Sequence, residues 1–318
     1  MKAIVMDAHG GLSIQETTRE DLGVEDVCVR VCAVGVNRAD LMQRAGRYPA
    51  PKGTRTDILG LEFAGEVHQV GSKVSQWNIG DRVMGIVPGA SYAQEIVIHE
   101  RLLMPIPNGM SFIEAACIPE VFLTAFDALF CQLELKRGDR VLVHAIGSGV
   151  GDALYQLACA WGIHIVGTTR SAWKLEFYTD LAQGIVVENK SFLPLLASNV
   201  DAVIDFVGGG YLEENLRALK PRGKMLLLGL LGGVRDTCSL GLILVKRLQV
   251  MGATLRSRRF EEKIFLISHF QKRALPLFTQ EILVPTMDKV FAWTEVEKAH
   301  RYLSENKNRG KIVLQIVP

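Results

Sequence analysis

The chain has 318 residues, of which 48% are hydrophobic and 22% are charged, and its net charge is +2 at pH 7. This length allows about two domains of about 150 residues each, and the apolar content is sufficient for sizeable cores. The nearly neutral charge provides no electrostatic footprint for nucleic acid or for an anionic membrane surface. The 6 cysteines are scattered without a C-x-x-C spacing, which argues against a disulfide framework.

Two apolar segments bear on the location of the protein. The first apolar run is interrupted at Asp7, and the stretch MLLLGLLGGV is far shorter than the roughly 20 residues that span a bilayer. We therefore expect a cytoplasmic protein that has neither a membrane nor a nucleic acid as its partner.

Before about residue 110, short runs rich in β-branched residues are separated by Gly, Pro and Asn. The predicted strands are MKAIVMD, DVCVRVCAVGV, FAGEVHQVG, DRVMGIV and AQEIVIHE. This pattern is typical of antiparallel strands in a partly closed barrel. The pattern changes at SFIEAAC, which predicts a helix capped by Ser111, with Glu114 three residues further on.

Strands and helices then alternate. The predicted strands are DRVLVHA, HIVGTT, GIVVE, DAVIDFV, GKMLLLG and LQVMGAT, and the predicted helices cover 149–161, 172–182, 212–219 and 240–246. Such continuous apolar strands are buried on both faces, as in the parallel sheet of a doubly wound Rossmann fold. Only NKSFLPLLASNV separates the third and fourth strands, which is near the lower limit for a crossover helix.

After Thr254 the chain becomes basic, in LRSRR, and then predicts two helices and a final strand, KIVLQIV. A terminal strand must pair with another strand, and the first domain offers the simplest partner. The Rossmann domain is therefore predicted to be an insertion, with one domain formed by 1–113 and 255–318 and the other by 114–254.

The stretch HAIGSGVGDALYQ joins the first strand of the alternating region to an amphipathic helix. The start of a helix presents free N–H groups and the positive end of its dipole, where a pyrophosphate can bind. Gly149 and Gly151 would let the backbone approach the phosphate and let the helix pack on the strand. The alternative is a tight turn that binds no ligand.

The second strand of this region ends in GTTRSAWK, where an NAD site has an acidic residue that binds the ribose. Arg170 and Lys174 lie here instead, together with the hydroxyl groups of Thr169 and Ser171. Two cations and two hydroxyls suit a 2′-phosphate, so the predicted cofactor is NADP(H). An ordinary solvated loop is the alternative.

The most specific motif is NRADLMQRAGRY, which matches N-x-x-D-x-x-x-R-x-G-x-Y through Asn37, Asp40, Arg44, Gly46 and Tyr48. GLEFAGEVHQVGSKV adds a glycine framework, and the similarity covers nearly the whole chain. The chain resembles the medium-chain dehydrogenase/reductase superfamily, specifically its zinc-free, zeta-crystallin-like quinone oxidoreductases and their tumour-suppressor-inducible branch. This resemblance implies a GroES-like catalytic domain that carries the inserted Rossmann domain.

The resemblance also implies cofactor contacts. The phosphate motif of the family is A-x-x-G-x-x-G, and here Ala145 and Gly151 match it while Ser148 replaces the middle glycine. Thr124 and Asn308 are implied to lie near the nicotinamide. The other implied positions are Val150, Gln156, Gly208, Gly229 and Leu230.

Three departures from the family pattern accompany these matches. Glu188 and Asn189 stand where the family has a tyrosine, and a carboxylate there could weaken binding of the 2′-phosphate. The segment from Asn189 to Val200 is also shorter than usual. Zinc-dependent relatives have a histidine at the position of Leu61 and a cysteine at that of Asn37, so we expect no zinc.

Hydride transfer needs no nucleophile, because the cofactor carries the chemistry. The amide of Asn37 and the phenol of Tyr48 are candidate donors to the substrate oxygen, whereas Asp40 is expected to orient its own loop. Packing of Tyr48 on nearby prolines is the alternative for that side chain.

The predicted activity is NADPH-dependent reduction of quinones, with reduction of a conjugated enal or enone as the main rival. A non-catalytic, crystallin-like NADPH-binding protein is the alternative of another class. The apolar edge strand LQVMGATL predicts a homodimer.

Overall fold

The computed structural model describes residues 1–187 and 191–316, which form two compact units. The first unit comprises Met1–Leu123 and the residues from Arg256 onward, and the second comprises Thr124–Leu255. The sequence pattern predicts the first boundary after residue 113. The first unit extends further because the backbone N–H of Glu120 donates to Glu62 Oε2 at 2.8 Å and the ring of Phe122 packs on that of Phe278.

The elements follow the sequence pattern closely. The strands are β1 (Lys2–Met6), β2 (Leu12–Glu16), β3 (Asp26–Val36), β4 (Glu62–Val70), β5 (Arg82–Ile86), β6 (Glu95–His99), β7 (Leu103–Pro105), β8 (Arg140–Val143), β9 (His164–Thr169), β10 (Gln183–Val186), β11 (Val200–Asp205), β12 (Leu219–Leu227), β13 (Gln249–Gly252), β14 (Met287–Ala292) and β15 (Lys311–Gln315). The helices are α1 (Arg38–Arg44), α2 (Phe112–Ala115), α3 (Pro119–Phe126), α4 (Gly149–Trp161), α5 (Leu212–Ala218), α6 (Leu240–Lys246), α7 (Phe260–Arg273), α8 (Leu275–Thr279) and α9 (Val296–Ser304).

The first unit is built on a seven-stranded sheet in the order β14-β15-β3-β4-β5-β7, and β6 also pairs with β3. The final strand β15 runs antiparallel to β3, which confirms that the end of the chain returns to the first domain. Side chains that include Phe63, Tyr92 and Trp293 fill the core beneath this sheet. The capping box predicted at Ser111 is present, since Ser111 Oγ accepts from the backbone N–H of Glu114.

The second unit contains a six-stranded parallel sheet in the order β10-β9-β8-β11-β12-β13. All six strands were predicted, and their order is that of a doubly wound Rossmann sheet. β13 pairs only with β12 among the described residues and forms one edge of the sheet. The predicted helices over 149–161 and 240–246 agree with α4 and α6 at both ends.

Two connections differ from the prediction. The segment predicted as a helix over 172–182 is a 3-10 helix restricted to Ala172–Phe177. A turn at Thr179 and Asp180 follows it, and the N–H of Ala182 then donates to Ile165 O in β9. The short crossover before β11 contains only a 3-10 turn, Leu193–Leu195, within the part of it that the structure describes.

Additional elements complete the first unit. β2, β7 and β14 were not predicted, although the sequence of β2, LSIQE, alternates apolar and polar residues. β7 has only three residues, and the sequence of β14, MDKVFA, lacks a regular alternation. β14 pairs in parallel with β15, and most of its side chains are exposed. The predicted pair of helices after Thr254 corresponds to α7 and α9, with the short α8 following α7.

Candidate active site

The motif NRADLMQRAGRY forms α1 and the turn that follows it. The backbone N–H of Asn37 donates to Asp40 Oδ2 at 2.7 Å, which fixes the start of the helix. At the other end Arg44 forms a bidentate ion pair with Glu297, at 2.7 and 2.9 Å, and donates to the carbonyl of Gly10. The motif therefore holds one rigid segment of the first unit.

The side chain of Asn37 is part of a buried charged cluster. Its Nδ2 donates to Glu62 Oε1 at 2.8 Å and to Gly35 O at 3.4 Å, while its Oδ1 accepts from Lys311 Nζ at 2.6 Å. Lys311 also forms an ion pair with Glu62, and both side chains are nearly inaccessible to solvent. Both amide hydrogens of Asn37 are thus directed at protein acceptors. A role of Asn37 as a donor to the substrate oxygen stays a prediction.

Gly35 allows this cluster to pack. A Cβ at this position would lie 2.2 Å from Glu62 Oε1 and 2.7 Å from the carbonyl of Ala116. Any larger residue at position 35 would therefore displace the buried carboxylate of Glu62. Sequence reasoning missed Glu62 and Lys311, although a charged residue within a buried strand is the signal that could have revealed each of them.

Asp40 lies at the centre of a second buried network. Its Oδ2 accepts from the phenol of Tyr92 at 3.0 Å, and the Tyr92 oxygen lies 3.3 Å from His300 Nε2. Burial raises the pKa of Asp40 to about 6, and it lowers the pKa of His300 to about 4. Asp40 is fully buried and orients its own segment of the chain.

Tyr48 is half-buried on the loop after α1. The guanidinium of Arg256 lies 5.0 Å from the centre of its ring and donates to its backbone carbonyl at 3.2 Å. Arg256 is held in turn by Gln43 and by the carbonyl of Pro88. The phenol oxygen makes no hydrogen bond within the described ranges, so its O–H group remains available to a ligand.

Glu120, in the first turn of α3, is a residue that sequence reasoning missed. Burial and the charge of Glu62 raise its pKa to about 8, although Lys311 opposes this effect. The charge of Glu120 also raises the pKa of Tyr48, after the larger effect of burial on that phenol. The signal in the sequence is one acidic residue in the apolar run IPEVFLTAF.

Thr124 and Asn308, the two residues predicted to lie near the nicotinamide, belong to different units. Thr124 is half-buried in α3 and is the first residue of the second unit. Asn308 is buried in the first unit, before β15, and its Nδ2 donates to the carbonyl of Gly310 at 2.8 Å. Their proximity to a nicotinamide stays a prediction.

The glycine turn leads directly from β8 into α4. Ser148 is the N-cap residue of α4, and its Oγ accepts from the N–H of Gly151 at 3.1 Å. A Cβ on Gly151 would lie 2.4 Å from Ile146 O, so this position requires glycine. Ala145 has a φ of 52° and carries the left-handed bend of the turn. The serine that departs from the family motif thus caps the helix itself.

The start of α4 has the donors that a phosphate needs. Within the described residues, the backbone N–H groups of Gly149 and Val150 have no acceptor, and both residues are partly exposed. They add to the positive end of the dipole of this 13-residue helix. The arrangement fits a dinucleotide pyrophosphate, which would be held by these amides.

The four residues predicted to bind the 2′-phosphate, at and after the end of β9, differ in their exposure. Lys174 is 8% exposed, and its aliphatic chain covers Gly147, whose Cβ would lie 2.4 Å from Lys174 Cδ. Arg170 is exposed, and Thr169 Oγ1 accepts from the N–H of Ser171 at 3.1 Å. The structure therefore brings Lys174 onto the glycine turn and leaves Arg170 exposed at the surface.

Gly208 and Gly229 are organised by Asp205, at the end of β11. Asp205 Oδ1 accepts from Gly208 N–H at 3.0 Å, and the carbonyl of Asp205 accepts from Gly229 N–H at 3.3 Å. Leu230, the next residue, is 43% exposed. Asp205 thus fixes two loops that leave the carboxyl edge of the sheet, where ligands of such folds bind.

A buried histidine beneath the turn was not predicted. His144 Nε2 lies 2.7 Å from Asn215 Oδ1, and Asn215 Nδ2 donates to Asp205 Oδ2 at 3.0 Å. Asn215 must therefore accept from His144 Nε2–H, so that His144 Nδ1 accepts from the hydroxyl of Thr168 at 2.9 Å. Burial lowers the pKa of His144, in accord with a neutral ring that joins β8, β9 and α5.

Other predicted features complete the second unit. Gln156 Nε2 donates to Asp152 Oδ2 at 2.8 Å within α4. Glu188 and Asn189 lie outside the described residues, so the consequence of the missing tyrosine stays a prediction. In the first unit, Leu61 is buried beside Glu62. Across 1–187 and 191–316, no group of three His, Cys, Asp or Glu side chains could hold a metal ion.

Comparison with known proteins identifies the chain. Residues 23–108 match the alcohol dehydrogenase GroES-like domain, and residues 184–314 match the zinc-binding dehydrogenase family. The chain is 29% identical over 340 residues to the synaptic vesicle membrane protein VAT-1 homolog-like of Mus musculus, with 99% of this chain and 81% of that protein covered. It is 29% identical over 324 residues to quinone oxidoreductase-like protein 2 of Rattus norvegicus, with 99% and 91% covered.

The fold agrees with a solved structure over its full length. The CurK enoyl reductase superposes with a TM-score of 0.87 at 27% identity, covering 99% of both chains. The chain therefore belongs to the medium-chain dehydrogenase/reductase family of oxidoreductases. Within that family, proteins named quinone oxidoreductase-like are among its relatives, which confirms the resemblance and the fold class inferred from the sequence. No helix in the described part of the chain has the length and apolar character needed to cross a membrane.

Proposed function

We propose that the protein is an NADPH-dependent reductase that transfers hydride to quinones. The observation that carries this proposal is the start of α4, where the unpaired N–H groups of Gly149 and Val150 lie next to the glycine turn covered by Lys174. No acidic residue ends β9, where an NAD site would bind the ribose, and Arg170 follows that strand. The relative named quinone oxidoreductase-like protein 2 supports a quinone as the substrate.

The bound dinucleotide supplies the hydride, and the residues of this chain bind and orient the reactants. The amides at the start of α4 hold the pyrophosphate, while Arg170 reads the 2′-phosphate through charge-assisted hydrogen bonds. In the first unit, the free phenol of Tyr48 donates to the oxygen on which negative charge develops. Such a donor stabilises the charge because it is already oriented before the reaction.

Reduction of a conjugated enal or enone is the second candidate. The likeness to the CurK enoyl reductase favours it, and so does a group in the first unit that can donate a proton, namely Glu120 with its raised pKa. Carbon protonation is needed in this reaction, whereas a hydroquinone anion can take its proton from water. The two activities thus place different demands on the same unit.

Steady-state turnover tests the proposal and its rivals. Purified protein is assayed at pH 7 with NADPH and either a small quinone or a short 2-enal, with and without a chelator. We expect NADPH oxidation that depends on a quinone and resists the chelator. Binding of NADPH without turnover of either substrate would instead support the crystallin-like alternative. One zinc per chain in elemental analysis would contradict the roles assigned to Asn37 and Leu61.

We also propose that the protein is a cytoplasmic homodimer. β13 is an edge strand, and three side chains of the neighbouring α6 are at least 74% exposed, namely Leu240, Leu244 and Val245. Pairing of β13 with its copy would cover these apolar side chains. Light scattering should give twice the mass of one chain, and Leu244→Glu should shift it toward the monomer. A monomeric wild type at micromolar concentration would contradict the proposal.

A further inference from the structure

Glu120 is the acidic side chain of the segment IPEVFLTAF, which otherwise contains only apolar residues and Thr124. Its backbone N–H donates to Glu62 Oε2 at 2.8 Å, so the buried cluster of Lys311 and Glu62 fixes the start of α3. The side-chain carboxyl itself makes no hydrogen bond or ion pair within the described residues, and Glu120 is not fully buried. A positioned backbone thus carries an acidic group that has no structural partner.

The surroundings of Glu120 explain its protonation. Desolvation dominates, and the nearby carboxylates of Glu62 and Asp40 add to it, so that the pKa rises to about 8 even though Lys311 and Arg256 oppose the change. The charge of Glu120 in turn acts to raise the pKa values of Tyr48 and Lys263. The groups that interact electrostatically with Glu120 are contributed by four elements and two loops: Glu62 of β4, Asp40 of α1, Lys311 of β15, Lys263 of α7, Tyr48 and Arg256.

We propose that Glu120 is a catalytic acid, which delivers a proton to the substrate carbon while Tyr48 donates a hydrogen bond to the substrate oxygen. This inference rests on the second activity proposed above, the reduction of conjugated carbonyl compounds, because that reaction requires protonation at carbon and quinone reduction does not. In this scheme Glu120 acts on the substrate carbon and Tyr48 acts on the substrate oxygen. The pKa of Tyr48 is raised above its ordinary value of 10.0, so the phenol keeps its proton at neutral pH.

The atoms and electrons of the step balance as follows. When bound, the nicotinamide dinucleotide would supply a hydride to the β-carbon of the substrate, and the electrons of the C=C bond would move onto the carbonyl as an enolate. The O–H bond of Glu120 then breaks, its proton forms the new C–H bond at the α-carbon, and the bonding pair stays on the carboxylate. Glu120 regains a proton from water before the next turnover.

The chemistry requires an acid that is neutral near pH 7 and yet can release its proton. General acids work best when their pKa lies near the operating pH. Asp40 is a weaker candidate, because it is fully buried and accepts hydrogen bonds from Asn37 and Tyr92. Glu120 combines a suitable pKa with a free carboxyl group.

Glu120→Gln is the direct test, and Glu281→Gln, an exposed residue of the same unit, is its control. The substrate is a 2-methyl-2-enal reduced with NADPH in D₂O, so that deuterium enters at the α-carbon. We expect wild type and the control to place deuterium on one face. Glu120→Gln should lower kcat about 10²-fold or more, within the range of general acid catalysis, and should give deuterium on both faces. Its affinity for NADPH should stay unchanged.

A second readout needs no cofactor or substrate. Infrared titration of the free protein should show a carboxylic acid band that persists at pH 7 and disappears as the pH rises through about 8. The band should be absent from Glu120→Gln, and also from Glu120→Val if the amide variant does not fold. Deuteration on one face at an undiminished rate in Glu120→Gln, or an ionised Glu120 at pH 6, would overturn the proposal. A wild type that reduces neither quinones nor enals would overturn the proposed function as well.

Discussion

The two units contain polar centres that differ in how far the protein satisfies them. In the first unit, the side chains of Asn37, Glu62 and Lys311 bind one another and are closed to solvent. In the second unit, the N–H groups of Gly149 and Val150 lack an acceptor within the described residues and are partly exposed. Satisfied buried groups determine the fold around them, whereas partly exposed donors without an acceptor remain for a ligand.

The same comparison holds within the first unit. Asn37 and Asp40 belong to the motif that suggested catalysis, yet their polar groups mainly bind other residues. Tyr48 and Glu120 have free side-chain oxygens and lie close enough for the charge of one to affect the pKa of the other. Hydrogen bonding thus separates residues that build the site from those that can act on a substrate.

The largest effect should come from breaking the buried cluster. Lys311→Met leaves Glu62 charged and unpaired, which should lower the free energy of unfolding by about 3–5 kcal/mol. The matched control is Lys298→Met, because Lys298 is 70% exposed and pairs with Glu295 at the surface. Its cost should stay below about 1 kcal/mol. Equal losses in chemical denaturation would contradict the structural role of the cluster.

A smaller effect is expected from filling the turn at α4. The added Cβ in Gly151→Ala would approach Ile146 O to 2.4 Å, so the turn must shift at a cost of about 1–3 kcal/mol. Binding of NADPH should weaken because the amides of Gly149 and Val150 move with the turn. In Gly241→Ala the added Cβ meets only Ser239 Oγ, at 3.4 Å, and serves as the control. Calorimetric titration of both variants should show the loss only in Gly151→Ala.

The third prediction concerns pH and the network around Asp40. Its pKa is raised from 3.8 to about 6 by burial, so its contribution to stability is present below about 3.8 and is lost as the pH rises through about 6. Asp40→Asn should remove this loss and make stability flatter between pH 4 and 7. Asp57→Asn is a control in which the pH dependence of stability has the opposite sign. The hydrogen bond from Arg55 lowers the pKa of Asp57, so the stability that Asp57 contributes is lost as the pH falls. Unfolding curves from about pH 2 to about pH 7 measure both, because the contribution of Asp57 changes only below its ordinary pKa of 3.8.

The sequence was most informative where one local pattern determines the structure. The strand, glycine turn and helix around Gly151 were predicted with the correct helix ends, since turn chemistry and apolar periodicity agree there. The helix predicted over 172–182 was wrong beyond Phe177. Lys174 is buried against Gly147, and Tyr178 donates to Ile146 O, so contacts with the turn outweigh the local preference.

The candidate site was less predictable, because its key contacts join residues distant in the sequence. Lys311 and Asn37 are 274 positions apart, and no motif connects them. The pKa of Glu120 is raised by burial and then by the charge of Glu62, neither of which can be seen in a local segment. Sequence motifs located the loops correctly, but the fold decides which of their polar groups stay free.

Titration of wild type and Arg170→Ala with NADPH and with NADH tests the central claim most directly. We predict that wild type binds NADPH more tightly, because Arg170 adds a charge-assisted contact to the 2′-phosphate. Such a contact is worth roughly 1.5–3 kcal/mol, so Arg170→Ala should lose about 10- to 150-fold in affinity for NADPH and little for NADH. Equal affinities of wild type for the two dinucleotides, or no binding of either, would contradict an NADPH-dependent reductase.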